Sequence, residues 1–116
     1  MNFRILCVLL VLRAACSSAF AQSYEYATAR FIESQSSKLS QGAIVDGKGN
    51  VTPVPLGSFS LTARSNAQTF EGNQRTMTSL INDMVIQGYE LYSITTGNGD
   101  AILTTFMVFR KPKEEE

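Results

Sequence analysis

Carboxylates are the side chains in this sequence that could carry acid–base chemistry. The chain has no histidine, and its two cysteines, Cys7 and Cys16, lie in an N-terminal segment that we expect to be removed. Zinc sites built on thiolate or imidazole are therefore excluded, as are Ser-His-Asp and Cys-His nucleophiles. The carboxylates ahead of the acidic tail show no close pairing in sequence: Glu25, Glu33, Asp46, Glu71, Asp83, Glu90 and Asp100. We interpret them as solvated surface charges and predict no catalytic residue, no cofactor and no metal ion.

Calcium, phosphate and nucleic-acid binding also fit the sequence poorly. Residues 46–50 (DGKGN) resemble a calcium loop, but Lys48 stands where a third oxygen ligand is needed, so we interpret the segment as a hairpin turn. No glycine-rich turn opens a helix, as a phosphate-binding loop requires. The near-neutral charge of the chain argues against a nucleic-acid partner.

Residues 1–21 have the three-part pattern of a secretory signal peptide. Arg4 precedes the apolar run 5–12, and Ala19-Phe20-Ala21 predicts cleavage after Ala21. The run is too short for a membrane anchor, since a spanning helix needs about 20 apolar residues. We therefore predict a secreted or periplasmic protein with no membrane span after cleavage. Lipidation of Cys16, which follows a loose match to a lipoprotein box, is the alternative.

Cleavage leaves residues 22–116 as the mature chain. Lys and Arg fall to 8 against 10 Asp and Glu, so the formal charge is −2, and no cysteine remains for a disulfide. A chain of this length forms one domain and depends on a modest apolar core.

The elements that would position any site are strands followed by one helix. Tyr24–Glu33 is rich in strand formers, and residues 34–72 form a loop and hairpin insertion. Within the insertion, 43–45 and 51–54 flank the DGKGN turn, and Pro53 confines the second arm to a sheet edge. Alternating apolar residues from Phe59 to Ala63 suggest one more strand, before a polar, turn-prone stretch at 65–73.

A helix over about 74–87 is the clearest local prediction. Its apolar residues recur at helical spacing and form one stripe: Met77, Leu80, Ile81, Met84 and Val85. Asn73 suits the N-cap, and Gly88 suits a left-handed C-cap. The predicted fold class is therefore α+β, a small antiparallel sheet of four to five strands with one helix on one face.

The last two strands are apolar on both faces. Asn98-Gly99 predicts a two-residue type I′ turn that places Thr96 opposite Ala101 and Ile94 opposite Leu103. One face then carries Tyr89, Leu91, Ile102, Phe106 and Val108. The other carries Tyr92, Ile94, Leu103, Met107 and Phe109. A hairpin with one solvent-exposed face alternates apolar and polar residues. This hairpin is apolar on both faces, so both faces need cover.

We assign the helix to the face with Leu91 and Phe106, because the turn at Gly88 folds Tyr89 and Leu91 beneath it. The other face has two candidate covers. The insertion could fold over it with Ile44, Val45, Val54, Phe59 and Leu61. Alternatively, the face is an interface for a homodimer or another protein, or for a ligand. The candidate interface residues are Tyr92, Ile94, Leu103, Met107 and Phe109.

The order of short motifs also resembles a known family. Tyr24-Glu25-Tyr26, Leu80-Ile81-Asn82, Gly88-Tyr89-Glu90-Leu91 and Phe109-Arg110-Lys111-Pro112 follow one another as in a family of small, mostly bacterial domains of unknown function. That family has Trp where Tyr89 stands, and this chain has a longer insertion before the helix. The resemblance implies a small α+β domain of bacterial origin, and it supplies no activity, because that family has no established catalytic role.

Three functions follow from these observations. The first is a non-enzymatic exported module that binds another protein, or itself, through a sheet surface or an edge. The second is a carrier of small apolar ligands, with a pocket lined by Tyr24, Tyr26 and Tyr92 between the sheet and the insertion. The third, which the inventory of side chains disfavours, is an enzyme that uses carboxylates or tyrosines.

Overall fold

The described part of the chain forms one antiparallel sheet of five strands with a helix on one side, the α+β class that the sequence predicts. A computed structural model describes residues 22–60 and 66–114. The predicted signal peptide and the alternative anchor at Cys16 lie outside these residues. The elements are β1 (Tyr24–Ser34), β2 (Gln41–Val45), β3 (Val51–Pro55), α1 (Asn66–Ile86), β4 (Glu90–Gly99) and β5 (Ile102–Pro112). Their order across the sheet is β3-β2-β1-β5-β4.

The predicted hairpin at residues 43–54 is confirmed as β2 and β3. The Asp46 carboxylate accepts hydrogen bonds from the amides of Lys48 and Asn50, both at 2.9 Å, and closes the turn. The pKa of Asp46 is lowered, mainly because the Asn50 amide bonds to the charged form. β3 is an edge strand, as Pro53 predicts.

The end of α1 is as predicted, and its beginning is not. Gly88 has a φ of 93°, the Tyr89 amide donates to the Met84 carbonyl, and the Gly88 amide donates to that of Val85. This is the Schellman pattern. The helix begins at Asn66, however, so the predicted N-cap at Asn73 and loop at 65–73 are wrong.

Tertiary contacts explain the longer helix. The Asn66 side chain hydrogen-bonds both the N–H and the C=O of Ser60, and the Phe70 ring lies 5.3 Å from that of Phe59. These contacts stabilise a polar first turn and a helical glycine that local propensity disfavours. Residues 56–60 form no strand, so the predicted strand from Phe59 is wrong over its described part, while 61–65 lie outside the described residues.

The turn between β4 and β5 lies two residues beyond its predicted position. Gly99 is opposite Ile102, and Ile94 is opposite Met107, so Asp100 and Ala101 form the turn. The predicted register is therefore wrong by four residues. Because the shift is an even number of residues, each side chain stays on the face of the sheet that the predicted register gave it. A bulge between Leu91 and Ser93 then changes the face of the residues at the start of β4.

The helix covers the opposite face from the one predicted. Leu80 and Met84 of α1 pack in one buried cluster with Ala27, Ala29, Phe31, Tyr89, Met107 and Phe109. The side chains of β1 explain this choice, because Ala27, Ala29 and Phe31 on the covered side lose no polar group to burial. The same strand carries tyrosines and an arginine on its other side.

Candidate functional site

The five predicted interface residues do not form one surface. Met107 and Phe109 are 3% and 0% exposed beneath α1, so they belong to the core. Ile94 and Leu103 share their side of the sheet, by strand register, but remain exposed. Tyr92 lies on the opposite side, against Tyr26, because of the bulge. The prediction that these five residues share one exposed face is therefore wrong.

The described parts of the insertion, residues 34–60 and 66–72, do not cover the second side of the sheet. β2 and β3 extend the sheet beyond β1, and Ile44 and Val54 pack against the core on the helix side. We call the side away from α1 the open face. Its residues on the two central strands are Tyr24, Tyr26, Thr28, Arg30 and Ile32 of β1 and Ile102, Thr104, Phe106, Val108 and Arg110 of β5. None of these ten residues is buried.

A cluster of aromatic rings around one arginine occupies one end of the open face. The Arg110 guanidinium carbon lies 4.2 Å from the ring centroids of both Tyr24 and Tyr92. The Tyr26 ring meets Tyr92 edge-on at 6.4 Å. Arg110 Nε donates to Glu90 Oε1 at 2.6 Å, and this bond raises the pKa of the arginine. We call these five residues the tyrosine–arginine cluster.

The cluster holds a charged donor in one orientation. The contacts with two ring faces and the bond to Glu90 together restrict the movement of the guanidinium group. Among the described residues, 22–60 and 66–114, Arg110 makes no other hydrogen bond. Its terminal nitrogens can therefore donate to a carboxylate of a bound molecule without losing an internal contact.

The rest of the open face is apolar with few charges. Exposed or half-buried apolar side chains run across β1, β2, β3 and β5, among them Ile32, Val45, Val51, Phe106 and Val108, whereas β4 contributes Ser93, Thr95 and Gly97. The charged residues on this face are Arg30, Arg110 and Glu90. The face is therefore net positive, whereas the mature chain predicted from the sequence carries −2.

A separate groove lies on the helix side. It has a volume of about 620 Å³ and runs between α1 and the β2–β3 hairpin. Ile44, Val54, Leu80, Met84 and Tyr89 form its apolar part. The predicted lining by Tyr24, Tyr26 and Tyr92 is wrong, because those tyrosines lie on the opposite side of the sheet.

The structure provides little for chemistry. Within residues 22–60 and 66–114, no group of three His, Cys, Asp or Glu side chains is placed to hold a metal ion. Asp46 and Asp83 both border the groove, and Glu90 belongs to the tyrosine–arginine cluster. The described part of the chain contains no helix long and apolar enough to cross a membrane.

Sequence reasoning interpreted Glu90 only as a solvated charge, and it assigned Arg30 and Arg110 to no site. A signal for them exists in β1, where Tyr24, Tyr26 and Arg30 alternate with Ala27 and Ala29. Such alternation places the large side chains with polar ends on one face of the strand and the small apolar ones on the other. The pairing of Arg110 with Tyr26 needs the strand register and could not be read from the sequence.

Comparison with known proteins finds no matching family model, no matching curated protein and no matching solved structure.

Proposed function

We propose that this chain is an exported, non-enzymatic module that binds another protein through the open face of its sheet. The observation that carries the proposal is the uncovered state of that face, with no described residue packed over its two central strands. Tyrosine and arginine are enriched where protein interfaces concentrate their binding energy. The secreted or periplasmic location remains a prediction from residues 1–21.

The charge of the face indicates the chemistry of the partner. Arg30 and Arg110 against Glu90 leave a net positive surface among apolar side chains. A partner that fits would present carboxylates beside apolar or aromatic groups. One carboxylate would meet the terminal nitrogens of Arg110, which the two tyrosine rings already hold in place.

The test compares two charge reversals with the same change in net charge. Arg30→Glu lies on the open face, whereas Arg75→Glu lies on the exposed side of α1, and both side chains are exposed. Proteins retained by the immobilised full-length chain are identified by mass spectrometry, and one is purified for affinity measurement. We expect Arg30→Glu to weaken binding about tenfold or more, and Arg75→Glu to leave it unchanged.

Equal binding by both variants would place the interface elsewhere and overturn the proposal. Failure of the unmodified chain to retain any protein would do the same. Thermal unfolding of each variant separates a lost interface from a lost fold.

The groove supports a second candidate, the carrier of small apolar ligands. Its volume of about 620 Å³ lies within the range of known ligand pockets, and its floor is apolar. Thr52 borders the groove, whereas its neighbour Val51 points to the open face. Thr52→Trp should therefore fill the groove, and Val51→Trp should not.

The neutral fluorophore N-phenyl-1-naphthylamine is the probe for this candidate. Saturable binding that Thr52→Trp abolishes and Val51→Trp preserves would support a ligand site. Absence of saturable binding, or equal loss in both variants, would remove it.

A further inference from the structure

The two edges of the sheet differ in the hydrogen bonds that they offer. In an antiparallel pair, alternate residues turn their N–H and C=O groups toward the partner strand and the others turn them away. The Asp46 amide donates to the Asn50 carbonyl at 3.0 Å, so this pair is hydrogen-bonded across the turn. Counting outward from it, Thr52 and Val54 face β2, while Val51, Pro53 and Pro55 face away.

The β3 edge is consequently blocked. Two of its three outward-facing residues are prolines, which have no N–H group to donate. Proline on an edge strand is a recognised way in which proteins prevent another strand from pairing there.

The same counting shows which residues of β4 turn their backbone groups outward. The Lys113 amide donates to the Ser23 carbonyl at 2.9 Å, so odd-numbered residues of β5 face β1 and even-numbered ones face β4. Their partners Ser93, Thr95 and Gly97 face β5. Ile94, Thr96 and Asn98 therefore turn their backbone groups outward.

The β4 edge has little protection over residues 94–98, because its bulge lies earlier, between Leu91 and Ser93. It contains no proline, lysine or arginine, and its single charge, Glu90, lies at its first residue. β4 is the last strand of the sheet, and no hydrogen bond from elsewhere in the described chain, 22–60 and 66–114, reaches Ile94, Thr96 or Asn98. A long edge of this kind is a template for strand addition.

We propose that two copies of the chain pair antiparallel through β4, with Thr96 of one copy opposite Thr96 of the other. This register pairs Ile94 with Asn98 in both directions, so every outward-facing residue from 94 to 98 finds a partner. Each such pair exchanges two hydrogen bonds. The paired segment carries no charge, and facing threonines are a favourable cross-strand pair.

The pairing produces a ten-stranded sheet with consequences for the open face. The twofold axis of an antiparallel strand pair is perpendicular to the sheet, so both helices lie on one side. The two open faces then form one continuous surface on the other side. The dimer thus presents two tyrosine–arginine clusters near its centre, since Tyr92 is part of β4. The dimer forms through the β4 edge, whereas the protein partner is proposed to bind the open face.

The test places a proline on each edge. Thr96→Pro removes the central outward N–H of β4 without removing a bond to β5, and Val51→Pro makes the matched change on β3. The masses of the full-length chain and the variants are measured by light scattering from low to high micromolar concentration. We expect a dimer for the unmodified chain and for Val51→Pro, and about tenfold weaker dimerisation or more for Thr96→Pro. A monomer throughout, or a dimer equally stable in Thr96→Pro, would overturn the proposal.

Amide hydrogen exchange tests the unmodified chain in case Thr96→Pro does not fold. The amides of Ile94, Thr96 and Asn98 should become protected as the concentration rises, while that of Val51 should not. Lack of such protection contradicts the β4 contact. Arg30→Glu leaves the dimer unchanged if this proposal is right, so failure of the partner-binding proposal would not affect the result.

Discussion

At the scale of single residues, Gly42 is a position at which the β2–β3 hairpin packs closely against the core. It lies opposite Phe31, and a Cβ at residue 42 would stand 2.6 Å from Cδ1 of that fully buried ring. We expect Gly42→Ala to lower the free energy of unfolding by about 1–3 kcal/mol, because a packed core resists added volume. Chemical denaturation measures the change.

The matched control for Gly42→Ala is Gly72→Ala. Gly72 is a helical residue with no atom within 4 Å of an added Cβ. Alanine should stabilise the helix there by about 1 kcal/mol. Equal effects of the two substitutions would contradict the close packing of Phe31 against Gly42.

Asp46 should make the β2–β3 turn sensitive to acid. Hydrogen bonds from the Asn50 and Lys48 amides hold the pKa of this carboxylate below its ordinary value of 3.8. The stability that they contribute is present above pH 3.8 and is lost as the pH falls through the lower pKa of the folded protein. An NMR titration should show the Asn50 amide shifting with a midpoint below 3.8, and Asp46→Ala should abolish that transition. A midpoint above 3.8 would contradict the assigned bonds.

At the scale of elements, the β4–β5 turn shows how a local signal can be overridden. Asn-Gly predicts a turn at 98–99, yet the chain turns at Asp100 and Ala101, and Ala101 has a φ of 57°. The observed register places Ile94 beside Met107 and lengthens the ladder, which adds strand pairing that the shorter hairpin lacks. Tertiary pairing thus outweighs the preference of two residues.

Substitutions in this turn distinguish the two registers. Ala101→Gly should raise the free energy of unfolding by about 0.5–1 kcal/mol, because glycine adopts positive φ without the steric cost of a Cβ. Gly99→Ala should change it by less than about 0.5 kcal/mol, since an added Cβ there meets no atom within 4 Å. A turn at Asn98-Gly99 would instead make Gly99→Ala destabilising by about 1–2 kcal/mol and Ala101→Gly destabilising by about 0.5–1 kcal/mol in thermal denaturation.

At the scale of the whole molecule, Asn73 connects three distant parts of the chain. From within α1 it accepts a hydrogen bond from the Gly57 amide at 2.8 Å and donates to the Gly57 carbonyl and to Glu33 Oε2. The side chain is buried, so Asn73→Ala leaves polar groups without partners. We expect a loss of about 1–3 kcal/mol in the free energy of unfolding.

Asn82→Ala is the control for this prediction. Asn82 lies on the exposed side of the same helix, so its removal should be neutral or slightly stabilising, because alanine favours helices. Equal losses in the two variants would mean that the network around Asn73 does not stabilise the fold.

The sequence by itself determined the elements whose signals are local. The helical stripe, the left-handed cap at Gly88 and the hairpin around residues 46–50 follow from periodicity and turn chemistry, and all three are present, although Val85 of the predicted stripe is exposed. Tertiary structure decided where α1 begins, where β4 turns and which face is covered. The last two strands are apolar on both sides, so their own sequence does not indicate which side the helix covers. The side chains of β1 do, because one side carries Ala27, Ala29 and Phe31 and the other carries tyrosines and Arg30, whose polar groups are costly to bury. Only the pairing of β1 with β5 places those alanines beside Met107 and Phe109.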